Sequence, residues 1–149
     1  MATHSTIAIE LKDGTVKQVY SHWDNYLAHN GAILLEHYSD PVKLEELIAL
    51  GDISNLAKSV GEKHPFSSLD CAMDDDQYQE LYGDMTTFYG RDRDENNTDA
   101  RTFDNFEMYR LSAEFEEYDY ILRNDGQWYV SFGNRIFREL NEEMVATED

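Results

Sequence analysis

Tyr20-Ser21-His22-Trp23-Asp24-Asn25-Tyr26-Leu27-Ala28-His29-Asn30-Gly31 lies where one hydrophobic period gives way to another. Before it, Ile7, Ile9 and Leu11 alternate with Ala8, Glu10 and Lys12, the period of two of a β-strand. After it, Trp23, Tyr26, Leu27, Ile33, Leu34 and Tyr38 recur at three- and four-residue spacing, as on one face of a helix. The stretch is therefore a corner between a sheet and a helical layer. It also gathers His22, Asp24, His29 and two large aromatics, which makes it a candidate site.

Upstream, Thr6 to Ser21 predicts a β-hairpin. Lys12-Asp13-Gly14 supplies the turn, and Val16, Gln18 and Tyr20 share one face of the return strand. Downstream, Asp24 is a candidate cap, and Asn30-Gly31 interrupts the pattern, so a helix is expected to begin only beyond it. That helix ends by Ser39. Asp40 then caps a second helix with Pro41 at its first position, where the missing N–H costs nothing, and Gly51 closes it. Asp52 to Leu56 predicts one more helical turn, packing Ile53 and Leu56 inward.

Gly61 to Gly83 has turn formers at both ends and is open to two readings, a short helix over Asp76 to Tyr82 or a long loop. Met85 to Tyr89 predicts a strand and Gly90 to Arg101 a polar loop. Thr102 is a candidate cap for a helix over Phe103, Phe106, Met108 and Tyr109. Glu117 to Phe132 predicts a second hairpin around Asn124-Asp125-Gly126. Asn134 is a candidate cap for a last helix through Ile136, Phe137, Leu140 and Met144, and the tail from Ala146 should fray. Neighbouring hairpins rather than alternating strands and helices predict an α+β class. The expected sheet is antiparallel, of about five strands (two hairpins and a central strand), with helices on one face. Residues 1–149 are expected to form a single domain, the default for this length.

Net charge is −19, against the 2–8 or so that solubility asks of a small domain. The excess is uneven: Asp70 to Tyr120 carries sixteen Asp and Glu, four Arg and no Lys. Such charge opposes direct binding to nucleic acid or anionic membranes, which depends on Lys and Arg meeting phosphates. It favours a partner with a basic surface. No apolar run reaches the ~20 residues that span a bilayer, and the first five residues carry no signal pattern, so a cytoplasmic location is expected. Cys71 is the one cysteine. It lies among Asp70 and Asp74 to Asp76, which disfavour a thiolate, and is expected to be inert.

Catalytic motifs are absent. There is no phosphate-binding glycine loop, no HExxH and no nucleophile elbow. Asp92 to Phe103 resembles a calcium loop at three positions, but has Asn97 where the turn needs glycine and Phe103 where a bidentate Glu is needed. His22, Asp24, His29 and His37 match no metal-ligand spacing. A dyad of His22 oriented by Asp24 lacks a nucleophile, because Ser21 points to the opposite side of a strand. The more economical reading has His22 and Asp24 hydrogen-bonding locally to set the corner. No catalytic residue, metal or cofactor is therefore assigned, and an enzyme is not expected.

Several pieces resemble a small phage and bacterial family: Ser5-Thr6-Ile7-Ala8, Asp13-Gly14-Thr15-Val16, Tyr20-Ser21-His22-Trp23-Asp24, Leu34-Leu35-Glu36-His37-Tyr38 and Leu47-Ile48-Ala49-Leu50-Gly51-Asp52-Ile53-Ser54. Phe88-Tyr89-Gly90-Arg91-Asp92-Arg93 and Trp128-Tyr129-Val130 continue the likeness. It carries no functional residues to transfer. The chain departs from the pattern at Asn25 and Asp94, both of which stand where the family has glycine. The resemblance implies a phage accessory protein acting on a host or defence protein. Joined to the acid excess, it suggests occupation of a groove built for nucleic acid.

Two functions follow as expectations. The first is a non-enzymatic protein that binds a basic surface through Asp74, Asp75, Asp76, Glu80, Asp84, Asp92, Asp94, Glu95, Glu114, Glu116 and Glu117. The second is a nucleotide or metal site in the corner walled by His22, Trp23, Asp24, Tyr26, Tyr89 and Arg91, with aromatics stacking on a base and Arg91 meeting a phosphate. The oligomeric state is not legible.

Overall fold

The computed structural model describes residues 3–147. Strands β1 (Ser5–Glu10) and β2 (Val16–Trp23) pair antiparallel from Ser5↔Ser21 to Glu10↔Val16, the first predicted hairpin. Asp13 accepts from the Thr15 amide at 2.9 Å, and Gly14 takes φ +90°, which an L side chain resists. The chain then forms a π-helical turn over Leu27–Gly31 that runs directly into α1 (Ala32–His37). Asn30-Gly31 therefore interrupts the α geometry without ending the helix. Asp24 makes no cap; Tyr26 occupies that position without a side-chain bond. Helix α2 (Pro41–Ala49) begins as predicted, with Asp40 accepting from the Val42 amide, and Gly51 at φ +89° turns the chain out of it.

Asp52–Leu56 is not a helical turn. Ile53–Asn55 forms β3, parallel to the end of β2, while Ile53 and Leu56 are buried as expected. A parallel neighbour needs a long crossover, and Asp24 to Asp52 with α1 and α2 provides it. Later come a 3₁₀ turn at Ser68–Cys71, α3 (Asp75–Tyr82), β4 (Thr87–Phe88), α4 (Tyr89–Arg93) and β5 (Arg101–Phe103). The predicted strand at Met85–Tyr89 thus shrinks to two residues, and the predicted loop after it contains a helix. Thr102 lies in β5, and Asn105 caps α5 (Phe106–Ser112) by accepting from Met108.

The second hairpin joins β6 (Tyr118–Leu122) to β7 (Trp128–Ser131), with Gly126 at φ +83° in the turn. Asn134 accepts from the Ile136 amide in a local turn, but Arg135 at φ +65° diverts the chain before a helix can form. Two residues of β8 (Arg138–Glu139) follow, then α6 (Glu142–Ala146), capped by Asn141. Ala146 ends that helix, and Glu148 and Asp149 of the tail lie outside the described residues.

Among the described residues the sheet has eight strands, in the order β4-β3-β2-β1-β6-β7-β8, with β5 beside the first half of β2. It is mixed, not antiparallel, because the two hairpins meet through their first strands and β1 runs parallel to β6. Helices do not keep to one face either. Ile7, Ile9, Val19, Leu122, Trp128 and Val130 pack beneath Leu34, Leu44, Leu47 and Ile48. On the other face Ala8, Val16 and Ile121 lie beneath Tyr109 of α5 and an aromatic layer that includes Phe106 and Phe137. All six residues of β1 are buried, as expected for a central strand covered on both sides. Helix α5 stops at Ser112, and Thr6, Gln18 and Tyr20 continue the same face of the sheet.

Candidate binding surface and polar well

The corner is held by a buried amide. Asn25 is fully buried; its Nδ2 donates to the carbonyls of Thr3 (2.8 Å), Ser21 (3.0 Å) and Trp23 (3.2 Å). Its Oδ1 accepts from the Ser5 hydroxyl and from Asn30 Nδ2, both at 2.7 Å. The residue with left-handed backbone is its neighbour Asp24, at φ 60°. That turn separates the two polar residues singled out in the sequence. His22 pairs with the Tyr20 hydroxyl at 2.7 Å through Nδ1, stacks on His4 at 4.7 Å and meets the edge of Trp23. Burial, and secondarily the neighbouring His4, lowers the His22 pKa.

Asp24 and His29 instead line a cleft of about 370 Å³ facing Tyr78 and Tyr82 of α3. Tyr26 is exposed, with its ring 5.8 Å from that of His29. Trp23 is exposed as well, and Tyr89 packs against Phe66 and the Arg93 guanidinium. Arg91 is not available to a phosphate. It donates to the carbonyls of Val60, Gly61 and Thr86, bonds Asp92, and lies over the Phe88 ring. The six expected pocket residues therefore do not converge.

The acidic residues divide similarly. Asp92 is buried and internal, accepting from the amides of His64 (3.1 Å) and Phe88 (2.8 Å) as well as from Arg91. It faces no partner. Asp74 caps α3 in a reciprocal box with Gln77, and Asp74, Asp75, Asp76, Glu80 and Asp84 are all exposed. Helix α3 starts one residue before its predicted position. It is anchored by the Tyr78 hydroxyl on the Pro65 carbonyl at 2.7 Å and by Tyr82 stacked on buried His64. From His64 to Gly90 there are six Asp and Glu and neither Lys nor Arg. Asp94 and Glu95 are exposed but answered by Lys63 and Arg93. Asp94 has φ 56°, a backbone that favours glycine.

Glu114, Glu116 and Glu117 form the other acidic end, brought by the loop after α5 to the sheet face carrying Tyr20. Glu114 and Glu117 are exposed; Glu116 is half-buried, 3.6 Å from His4 Nδ1. Beneath Glu114 and Glu116 lies a well of about 230 Å³. Thr6 and Gln18, almost completely buried, form its floor, and Tyr20 and Asp52 stand on its side. Asp52 accepts from the Tyr20 amide at 2.9 Å and lies 3.9 Å from Arg101. Burial raises the Asp52 pKa, against the pull of that amide and of Arg101. The Tyr20 hydroxyl is pushed up to about 12 by burial first, then by Glu116, Tyr89, Asp52 and Glu117.

Asp119 lies under the well, accepting from the Thr6 hydroxyl (2.7 Å) and the Glu116 amide (2.9 Å) through one oxygen, while Oδ2 has no hydrogen-bond partner among the described residues. Burial drives its carboxyl to about 7, although the amide dipoles of Glu116 and Gly133 and the Thr6 hydroxyl oppose the shift. Sequence reading missed His4, Gln18, Asp52, Arg101 and Asp119 as neighbours. One signal was present: Thr6 and Gln18 place polar groups on the strand face that Ala8 and Val16 make apolar.

Among the described residues no group of three or more His, Cys, Asp or Glu side chains is placed to hold a metal ion. No helix among them is long and apolar enough to cross a membrane. No family model, curated protein or solved structure matches the chain.

Proposed function

We propose that this is an acidic, non-enzymatic binding protein that engages a basic surface on another protein, and that it is a phage accessory protein acting on a host or defence protein whose nucleic-acid groove it occupies. One observation carries the reading: α3 exposes Asp75, Asp76 and Glu80 within a 27-residue stretch, His64–Gly90, that contains neither Lys nor Arg. An uncompensated negative face of this kind steers association with a positive one. The helix is fixed by its capping box and its tyrosine anchors, so the charges are displayed at set spacing.

The test is capture from host lysate followed by a salt series. The captured partner should release as NaCl rises from about 50 to 300 mM, because screening shortens the reach of exposed charges. The triple variant Asp75→Asn, Asp76→Asn, Glu80→Gln should lose the partner at low salt. Capture that ignores both salt and the triple variant would overturn the proposal.

A second reading rests on the cleft between Asp24 and His29 and the tyrosines of α3. It takes a small organic ligand there, with neither a phosphate contact from Arg91 nor a metal. A thermal-shift screen of nucleosides and amines, with Asp24→Asn and Tyr78→Phe as controls, tests it; no stabilisation by any member would remove it.

A further inference from the structure

We infer that the well above Thr6 and Gln18 is a socket for a primary ammonium group on an aliphatic stem, the end of a lysine side chain of the basic partner. The inference rests on the function proposed above and supplies that surface with an anchoring contact. The floor is the first support. Gln18 is 2% exposed and lines the well, yet its carboxamide makes only one long bond, from Nε2 to the Glu114 carbonyl at 3.5 Å. Its Oε1 accepts from no described residue. Because Gln18 lines the well, that oxygen is open to a donor brought by a ligand or by water.

The walls supply the second support. Asp52 approaches from the β3 side, and Glu114 and Glu116 line the well from the loop opposite, Glu114 meeting Gln18 through its main-chain carbonyl. Among the described residues that line the well, Arg101 is the one Lys or Arg, and it is turned to Asp52. An ammonium has three donors and no acceptor, and acceptors arriving from the floor and two sides suit its tetrahedral geometry better than the flat fork of a guanidinium. The Tyr20 ring gives the methylene stem an apolar wall.

The test is a two-dimensional amide NMR titration of the full chain with n-butylammonium chloride, against NaCl at equal ionic strength and against n-butylguanidinium chloride. Saturable shifts are expected at the Gln18 side-chain amide and the Tyr20 backbone amide, with a roughly millimolar dissociation constant suited to so small a ligand. Gln18→Leu should weaken binding about tenfold, and so should Glu116→Gln, whose half-exposed position leaves folding intact. Shifts that match NaCl, fail to saturate or persist in both variants would overturn the socket. Equal or tighter binding of butylguanidinium would overturn the ammonium assignment. The α3 triple variant should bind butylammonium unchanged while losing the protein partner. If butylammonium fails but capture still depends on α3, the socket falls and the proposed function stands.

Discussion

The Tyr120 hydroxyl donates to the Asn25 carbonyl at 2.7 Å, joining the second hairpin to the corner at the end of the first across 95 positions of sequence. It passes close to Gly31, whose added Cβ would come within 3.1 Å of the Tyr120 oxygen. A side chain at that position would need the Tyr120 ring to give by a few tenths of an ångström. The corner, the helix and the sheet centre therefore share one contact.

Tyr120→Phe leaves the buried Asn25 carbonyl without this donor and should cost about 1–3 kcal/mol in urea denaturation. Gly31→Ala should also destabilise, but less in the Tyr120→Phe background, where the crowding oxygen is gone. Strictly additive single and double variants would show that the two residues are not coupled.

Asn25 and Asp24 have opposite tolerances. Asn25→Ala removes the amide that serves Ser21, Trp23, Ser5 and Asn30, and should cost several times the ~1 kcal/mol of one ordinary hydrogen bond. Asp24→Gly relieves a left-handed residue at φ 60° and should be neutral or stabilising by up to about 1 kcal/mol. Thermal melts of the two variants check this; a stabilised Asn25→Ala would contradict the network.

Asp119 makes stability depend on pH in an unusual direction for a carboxylate. Its folded pKa, about 7, lies above the ordinary carboxyl value of 3.8, so the folded state holds a proton that the unfolded state releases. The stability this contributes is present in full below about pH 4 and is lost as pH rises to about 7, at up to ~1.4 kcal/mol per pH unit. Asp119→Asn keeps an acceptor for Thr6 and Glu116 and carries no charge. Its stability relative to the parent should rise from pH 4 to pH 7 and then level off. A difference that is flat in urea denaturation across that window would place the proton elsewhere.

Arg91 should behave as a structural residue. Arg91→Lys keeps the charge but cannot reach Val60, Gly61, Thr86 and Asp92 together, and should destabilise by about 3 kcal/mol. The parent's melting temperature should not respond to nucleotides. A nucleotide shift abolished by Arg91→Lys without loss of stability would reinstate it as a ligand residue.

Local chemistry was legible in the residues. The turns at Asp13-Gly14 and Asp125-Gly126, the Asp40-Pro41 start of α2 and the glycine exit at Gly51 all depend on a few adjacent side chains and one backbone angle. The same locality misled at Asn134, where an amino acid suited to capping made a turn because Arg135 left the helical region. It misled again at Asp52–Leu56, where the inward residues were identified but the element was not. Burial of Ile53 and Leu56 is a matter of composition; whether the chain extends beside β2 depends on where the α1–α2 crossover delivers it.

By itself the sequence determined two hairpins, the charge imbalance and the absence of standard catalytic motifs, because period, turn residues and composition act within a few positions. Only the tertiary structure decided that the hairpins meet through β1 and β6, which makes the sheet mixed and buries both of its faces. It also separated His22 from Asp24, turned Arg91 and Asp92 inward, and set Gln18 beneath Glu114 and Glu116. Strand order and the meeting of distant side chains follow from how whole layers pack, and no short window of residues encodes that choice.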